Sequence, residues 1–162
     1  MANTVASQTL VDGERVAIMK FTFQCDGSGN ESKVLKVDVS ALNPSFAGKA
    51  CNGVAIQKIY AATHGLEVEI YWDATTDIFC WGIPQNTNYV MDFSSFGGLE
   101  NNAGAGKTGD VLFSTLDAAA GDFYTVTLEM VKTYASSIQG SVPAYESSRE
   151  QSKVCQESRH ST

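Results

Sequence analysis

The chain has 162 residues, which is enough for one domain with a substantial hydrophobic core. Hydrophobic residues make up 43% of the sequence and charged residues only 18%, and the net charge is -7 at pH 7. This acidic balance argues against a nucleic-acid backbone as the main partner, because such binding needs clustered Lys and Arg side chains. The share of charged residues is below the usual value of about 25%, which indicates that a partner covers part of the surface.

No apolar run reaches the roughly 18 residues that a membrane-spanning helix needs, so we expect no membrane partner. The first ten residues, MANTVASQTL, lack the basic region and the apolar core of a signal peptide. The cysteines are far apart and form no CxxC pair, which predicts reduced thiols in a protein made in the cytoplasm. Only two histidines occur, His64 and His160, and we therefore expect neither a His-rich metal cluster nor a cofactor.

The first part of the chain has the pattern of short strands separated by turns. Residues 1–10 are small and polar and are typical of an arm or a short edge strand. Residues 15–23 (RVAIMKFTF) predict a strand with apolar side chains on both faces. The turn formers of residues 26–32 (DGSGNES) predict a hairpin loop that leads into a strand over residues 33–39. A further extended run follows at residues 54–62.

The clearest strand is LEVEIYW, residues 66–72, in which apolar and polar side chains alternate. Such alternation predicts a strand with one buried face. The turn at residues 73–77 (DATTD) then predicts a hairpin with residues 78–83, on which Phe79 and Trp81 are expected to share one face. Residues 123–132 (FYTVTLEMVK) show the same alternation as residues 66–72. Their predicted inward side chains are Tyr124, Val126, Leu128 and Met130.

About eight short strands at hairpin spacing, without an amphipathic helix of useful length, predict an all-β protein. We expect a single antiparallel β-sandwich or jelly-roll-like domain over residues 11–135, with extended arms at both ends. Residues 1–10 would form the N-terminal arm. Residues 136–162 are polar and rich in serine, without apolar periodicity, and would form a C-terminal arm that lacks a core of its own.

The glycine-rich stretch at residues 93–115 contains GAGKTG, which resembles a phosphate-binding loop. A true loop of this kind requires Gly, four residues, and then Gly-Lys-Ser/Thr, but Asn101 stands where the first glycine belongs. Thr108 also leads into a β-type run, whereas the motif should open a helix. We therefore expect no nucleotide binding.

The length of this connection points to another role. Long connections in compact β domains are usually functional or ordered by a partner, which predicts an assembly contact at residues 93–115.

Three other chemical readings are weaker than their structural alternatives. The DGSGNES segment starts like a calcium loop, but Glu31 and Val37 occupy the places of the required glycine and glutamate. Asp73 and Asp77 have the spacing of turn-capping residues more than of a cation site. His64 precedes a turn glycine, and no GxSxG elbow accompanies it, so a hydrolytic triad is not expected. We predict that the protein is not an enzyme.

An aromatic set in the second half of the chain has two possible roles. Its faces could stack on sugar rings in a groove, or they could anchor the core or an interface, and the alternation around Trp72 favours the second role. The set comprises Tyr71, Trp72, Phe79, Trp81, Tyr89, Phe93 and Phe96.

Taken together, five stretches resemble the small β-rich virion structural proteins of tailed bacteriophages. The resemblance covers roughly residues 4–132 and leaves the C-terminal segment unexplained. The stretches are VDGERVAIMKFTF, DGSGNESKVLKVDVSAL, LEVEIYWDATTDIFCWGI, FGGLENNAGAGKTGDVLFST and DFYTVTLEMVK. Such proteins act as decoration or cement subunits of the capsid, or as connector and tail parts.

The resemblance implies a non-enzymatic virion protein that stabilises the capsid shell and is assembled in the cytoplasm of a host bacterium. The alternative is a neck, tail or fibre component that binds a receptor glycan. Implied partners are the major capsid protein and further copies of the chain in a homo-oligomer. We expect residues 1–10 and 136–162 and the loop at residues 97–109 to make the contacts. The predicted contact residues are Gly97, Gly98, Leu99, Asn101, Asn102, Lys107, Pro143 and Tyr145.

Overall fold

The computed structural model describes residues 2–135, and Pro143, Tyr145 and the rest of the predicted C-terminal arm lie outside this range. Within it the chain forms nine strands and two short 3₁₀ turns, the latter at Val39–Ala41 and Ser94–Phe96. The strands are β1 Thr4–Asp12, β2 Val16–Gln24, β3 Val34–Val37, β4 Cys51–His64, β5 Glu67–Trp72, β6 Ile78–Ile83, β7 Asn88–Asp92, β8 Val111–Leu116 and β9 Phe123–Tyr134.

The strands form two antiparallel sheets that pack face to face. The larger sheet has the order β1-β2-β9-β4-β7, and the smaller has the order β3-β8-β5-β6. Their inner faces supply one continuous core. This architecture confirms the predicted all-β, antiparallel sandwich.

The inner faces follow the predicted alternation. Along β5 the side chains of Val68, Ile70 and Trp72 are buried, while those between them are partly exposed. On β9 all four residues predicted to point inward are fully buried. Aromatic rings join the sheets at the centre, where Phe113 of β8 packs edge-on against Phe21 of β2 with ring centroids 5.2 Å apart. Such contacts between large rings contribute strongly to core stability.

The predicted hairpin at residues 26–32 is wrong. β2 lies in the larger sheet and β3 in the smaller one, so this segment crosses between the sheets. Backbone hydrogen bonds tie this crossing to another one, between β8 and β9. Cys25 N–H donates to Asp122 O at 2.8 Å, and Gly121 N–H donates to Cys25 O at 2.8 Å. Turn-forming residues mark a change of direction, but they do not specify whether the next strand pairs with the previous one.

The N-terminal segment forms a strand, which was one of the two alternatives predicted for it. β1 pairs with β2 from Thr4↔Gln24 to Asp12↔Ala17, with one register shift between Thr9 and Val11. β1 is the outermost strand of its sheet, and eight of its nine residues are exposed while Asp12 is half-buried. The smaller sheet therefore does not cover this strand.

Candidate assembly surface

The glycine-rich connection joins the two sheets along one side of the sandwich. It leaves β7 of the larger sheet and enters β8 of the smaller one. At its start Phe93 is buried, and its N–H donates to Gln57 O on β4 at 2.8 Å. The 3₁₀ turn at Ser94–Phe96 follows, and Gly97 ends it in the left-handed conformation with φ of 88°. Phe96 is then left 67% exposed at the surface.

Hydrogen bonds to both sheets hold this connection in place. Leu99 and Ile56 of β4 exchange two backbone bonds, of 2.8 and 3.0 Å. Farther along, Thr75 N–H donates to Ala105 O at 3.1 Å, and Thr108 N–H donates to Asp73 O at 3.2 Å. The Thr108 hydroxyl also donates to the Asp73 carboxylate at 2.7 Å. The connection is therefore anchored to β4 and to the β5–β6 turn.

Two of the glycines allow the connection to approach β4 closely. A Cβ at Gly98 would stand 2.9 Å from Ile56 O, and one at Gly109 would stand 2.1 Å from Asn52 O. Both residues also have positive φ, of 102° and 87°. Both glycines therefore allow close packing of the connection against β4.

The predicted contact residues differ in accessibility. Gly97, Asn102 and Lys107 are exposed, whereas Gly98 is buried. Leu99 is half-buried and packs against the core. Asn101 is also half-buried, and its side-chain oxygen accepts a hydrogen bond from Ala103 N–H at 2.9 Å.

The aromatic set divides into buried and exposed members. Trp72 and Phe93 are 1% and 5% exposed, and Trp81 packs edge-on against Phe93 with centroids 4.9 Å apart. The Trp81 indole N–H donates to the Tyr89 hydroxyl at 2.8 Å. These residues act as core anchors, as the sequence favoured, whereas Phe79 and Phe96 lie at the surface.

The prediction that Phe79 and Trp81 share one face is wrong. Ile70 pairs with Trp81, but the next residue, Tyr71, pairs with Phe79, so Cys80 is an extra residue in β6. A β-bulge of this kind turns the following side chains to the other face. Phe79 therefore lies on the outer face of the sheet. There its ring packs edge-on against the ring of Tyr71, with ring centroids 5.6 Å apart.

The exposed rings border an open cleft of about 570 Å³ between β6 and the glycine-rich connection. Its wall offers two aromatic faces together with one carboxylate and one amide. The lining residues that matter are Phe79, Phe96, Leu99, Glu100 and Asn102. Aromatic faces stack on flat apolar surfaces, and the polar groups can bind hydroxyls, so the cleft is chemically suited to a sugar ring or to a polar peptide loop.

Within residues 2–135, charged side chains are buried at two places, and at each place they form an ion pair. Lys36 Nζ lies 2.6 Å from the Glu31 carboxylate, whose other oxygen accepts a 2.6 Å hydrogen bond from the Tyr124 hydroxyl. Burial, followed by the nearby Glu31 charge, raises the pKa of Tyr124, which keeps its hydroxyl a donor. Lys132 is paired with Asp12 and also donates to Asn43 O at 3.1 Å. These pairs fix the crossing segments and the end of β1.

The acidic residues and the histidine that were weighed as cation ligands or catalytic groups make structural contacts. The Asp77 carboxylate accepts a hydrogen bond from Ala74 N–H at 3.0 Å and pairs with Lys33 at 3.3 Å, as expected for turn capping. His64 is exposed and stacks on Phe123 with centroids 5.4 Å apart. Among residues 2–135, no group of three or more His, Cys, Asp or Glu side chains is placed to hold a metal ion.

Comparisons with known proteins identify no family for this chain. No family model matches it, and no curated protein matches it. Among solved structures it is similar to a cupin superfamily protein from Desulfitobacterium hafniense, with 16% identity and a TM-score of 0.31 over 82% of this chain and 80% of that chain. That likeness is too weak to support any function.

In the part of the chain that the structure describes, no helix is long and apolar enough to cross a membrane.

Proposed function

We propose that the chain is a non-enzymatic virion structural protein, a decoration or cement subunit that stabilises the capsid shell of a tailed bacteriophage. The observation that carries this proposal is the anchored glycine-rich connection. It presents Phe96, Asn102 and Lys107 at the surface while its backbone is held by β4 and the β5–β6 turn. A binding loop that is already ordered loses little conformational entropy on docking.

The sequence resemblance to small phage structural proteins supplies the biological setting, and a rigid sandwich suits it physically. A cement subunit needs only modest affinity at each contact, because repetition on a symmetric shell raises the effective concentration of neighbouring sites. The proposed partners are the major capsid protein and further copies of the chain. The virion is the proposed location, with assembly in the host bacterial cytoplasm.

The direct test adds the purified protein to capsids assembled without it. We expect saturable binding at a copy number that matches the capsid lattice, together with greater resistance to heat and osmotic shock. Phe96→Ser should weaken binding, because it removes the most exposed large apolar group of the connection. Phe46→Ser is the matched control, since Phe46 is 90% exposed in a different connection. Capsids that neither bind the chain nor gain stability would refute the proposal.

The cleft beside the connection supports a second candidate, a neck, tail or fibre component that binds a receptor glycan. Phe79 and Phe96 are 53% and 67% exposed and border the same cleft as Glu100 and Asn102. A glycan-array signal that is lost in Phe79→Ala and Phe96→Ala, but retained in Phe46→Ala, would favour this candidate. A low copy number per particle would favour it as well.

A further inference from the structure

We propose that β1 is a pairing edge, and that two copies of this chain join through antiparallel β1–β1 contacts into one continuous sheet. Two copies of the five-stranded sheet would then form a sheet of ten strands. The backbone groups on the outer side of an edge strand have no partner within their own sheet, and another strand can satisfy them.

The length of β1 distinguishes it from the other sheet edges. β1 has nine residues, whereas β3, β6 and β7 have four, six and five. The bulge at Cys80 interrupts β6, and β3 also has a register shift against β8. The register of β1 against β2 is regular from Thr4 to Thr9. Among the described strands, β1 therefore offers the longest regular outer edge.

The sequence of β1 lacks the features that usually prevent edge pairing. Natural edges are protected by charged side chains, proline, bulges or short length. Residues 4–11 (TVASQTLV) contain neither a charge nor a proline, although the whole chain carries a net charge of -7. The bulge comes only after Thr9, and the single charge, on Asp12, is paired with Lys132. A second copy can thus approach residues 4–9 without bringing like charges together in any register.

The position of β1 also leaves room for another strand. Residues 4–11 are all exposed, so the smaller sheet does not extend over β1. Val5 and Leu10 are each 48% exposed, which is apolar surface that pairing would cover. Because residues 4–11 are exposed, the strand of a second copy can lie beside β1 at the usual spacing of about 4.8 Å.

A twofold axis normal to the sheet gives the simplest arrangement. In antiparallel strands related in this way, opposite residues point to the same face, so the axis passes midway between one residue and the same residue of the other copy. With the axis at Ser7, Val5 of one copy lies opposite Thr9 of the other, and Ala6 lies opposite Gln8. β-branched pairs such as Val–Thr stabilise antiparallel strands, and the contact is closed, as most homodimer interfaces are.

The test uses the full chain and its mass in solution, measured by sedimentation velocity over a range of concentrations. We expect the wild type to sediment as a dimer of the 17.4 kDa chain. Ser7→Lys/Thr9→Lys and Ser7→Glu/Thr9→Glu should each be monomeric, because like charges then face each other across the twofold axis. An equimolar mixture of the two variants should regain the dimer, since the charges become complementary.

The control variant is Asn88→Lys/Val90→Lys, which places the same charges on exposed positions of β7, the opposite edge of the same sheet. It should remain dimeric. A monomeric wild type, a Lys variant that stays dimeric, or a mixture that stays monomeric would each overturn the inference. The result does not depend on capsid binding, so the two proposals can fail separately.

Discussion

Glu31 brings a negative charge into the core where the chain crosses from the larger sheet to the smaller one. Its carboxylate is bonded to Lys36 and to the Tyr124 hydroxyl, and Lys36 also lies 5.9 Å from the centre of the Tyr124 ring. The Glu31 backbone exchanges hydrogen bonds with Thr115, at 2.8 and 3.0 Å. Glu31 therefore holds the connection between β2 and β3 in place through both its side chain and its backbone.

The first prediction concerns this buried pair. Glu31→Gln leaves the Lys36 charge buried without its counter-ion, and we expect a loss of about 3–5 kcal/mol in the free energy of unfolding. Lys33→Met, which breaks the more exposed pair with Asp77, should cost at most about 1 kcal/mol. Urea denaturation measures both values. Equal costs in the two variants would show that the buried pair has no special role.

The second prediction separates two effects of replacing a glycine. Gly109 and Gly121 both have positive φ, of 87° and 92°, so alanine at either position adopts an unfavourable conformation. At Gly121 the added Cβ meets nothing within 4 Å, and we expect a cost of about 1–2 kcal/mol. At Gly109 it would collide with the Asn52 backbone, which should add roughly 1–3 kcal/mol. If both variants unfold at the same urea concentration, the close contact is not rigid.

At the scale of the elements, sequence pattern predicted the strands better than their connections. The alternation at residues 66–72 and 123–132 identified buried faces correctly, because side-chain period two is a property of each strand alone. The hairpin predicted at residues 26–32 was wrong, because the same turn formers serve a hairpin and a crossing between sheets. Pairing is decided by long-range contacts such as Glu31 with Thr115, which local sequence does not reveal.

The candidate site was predicted only in part, for the same reason. The length and glycine content of residues 93–115 correctly marked an unusual connection. Its contacts to Ile56 and Asp73 involve residues far apart in sequence, so neither the burial of Gly98 nor the half-burial of Leu99 could be predicted.

The sequence of β1, in contrast, contains a pattern from which an unprotected edge strand could have been predicted. An uncharged, proline-free strand at the start of a sandwich is an unprotected edge wherever it lies outermost.

The third prediction tests the bulge in β6. Because Cys80 is an extra residue, Trp81 faces the core and Phe79 faces outward. Trp81→Ala should cost about 3–5 kcal/mol, the usual range for removing a packed aromatic ring. Phe79→Ala should cost much less, since that side chain is half-exposed. Urea denaturation measures the free energy of unfolding of both variants. Similar losses in both variants would place both rings on one face and contradict the bulge.

For the molecule as a whole, the two sheets form a frame that carries the two proposed contact regions at separate places. The glycine-rich connection lies beside β4 and β6, whereas β1 lies at the outer edge beyond β2. A subunit with one surface for a shell and another for its own copy can cross-link neighbouring positions on a lattice. Modest affinity at each contact is then sufficient, because binding at one raises the local concentration at the other.

The last prediction concerns the stability of the whole fold in alkali. Burial raises the pKa of the Cys80 thiol to about 12, and a hydrogen bond to Glu69 raises the pKa of the Tyr71 hydroxyl to about 12. In the unfolded chain these groups lose their protons near pH 8.5 and 10. Between those values and pH 12 the native state binds more protons, so the free energy of unfolding falls as the pH rises.

The contribution of Cys80 can be isolated by substitution. It is fully present below about pH 8.5 and is lost progressively toward pH 12, at a rate of at most about 1.4 kcal/mol per pH unit. Under reducing conditions, urea denaturation of the wild type and of Cys80→Ala at several pH values from about 8 to 11 should give a steeper decline for the wild type. Because the variant lacks the titrating thiol, parallel declines would mean that the native site does not hold the proton on Cys80.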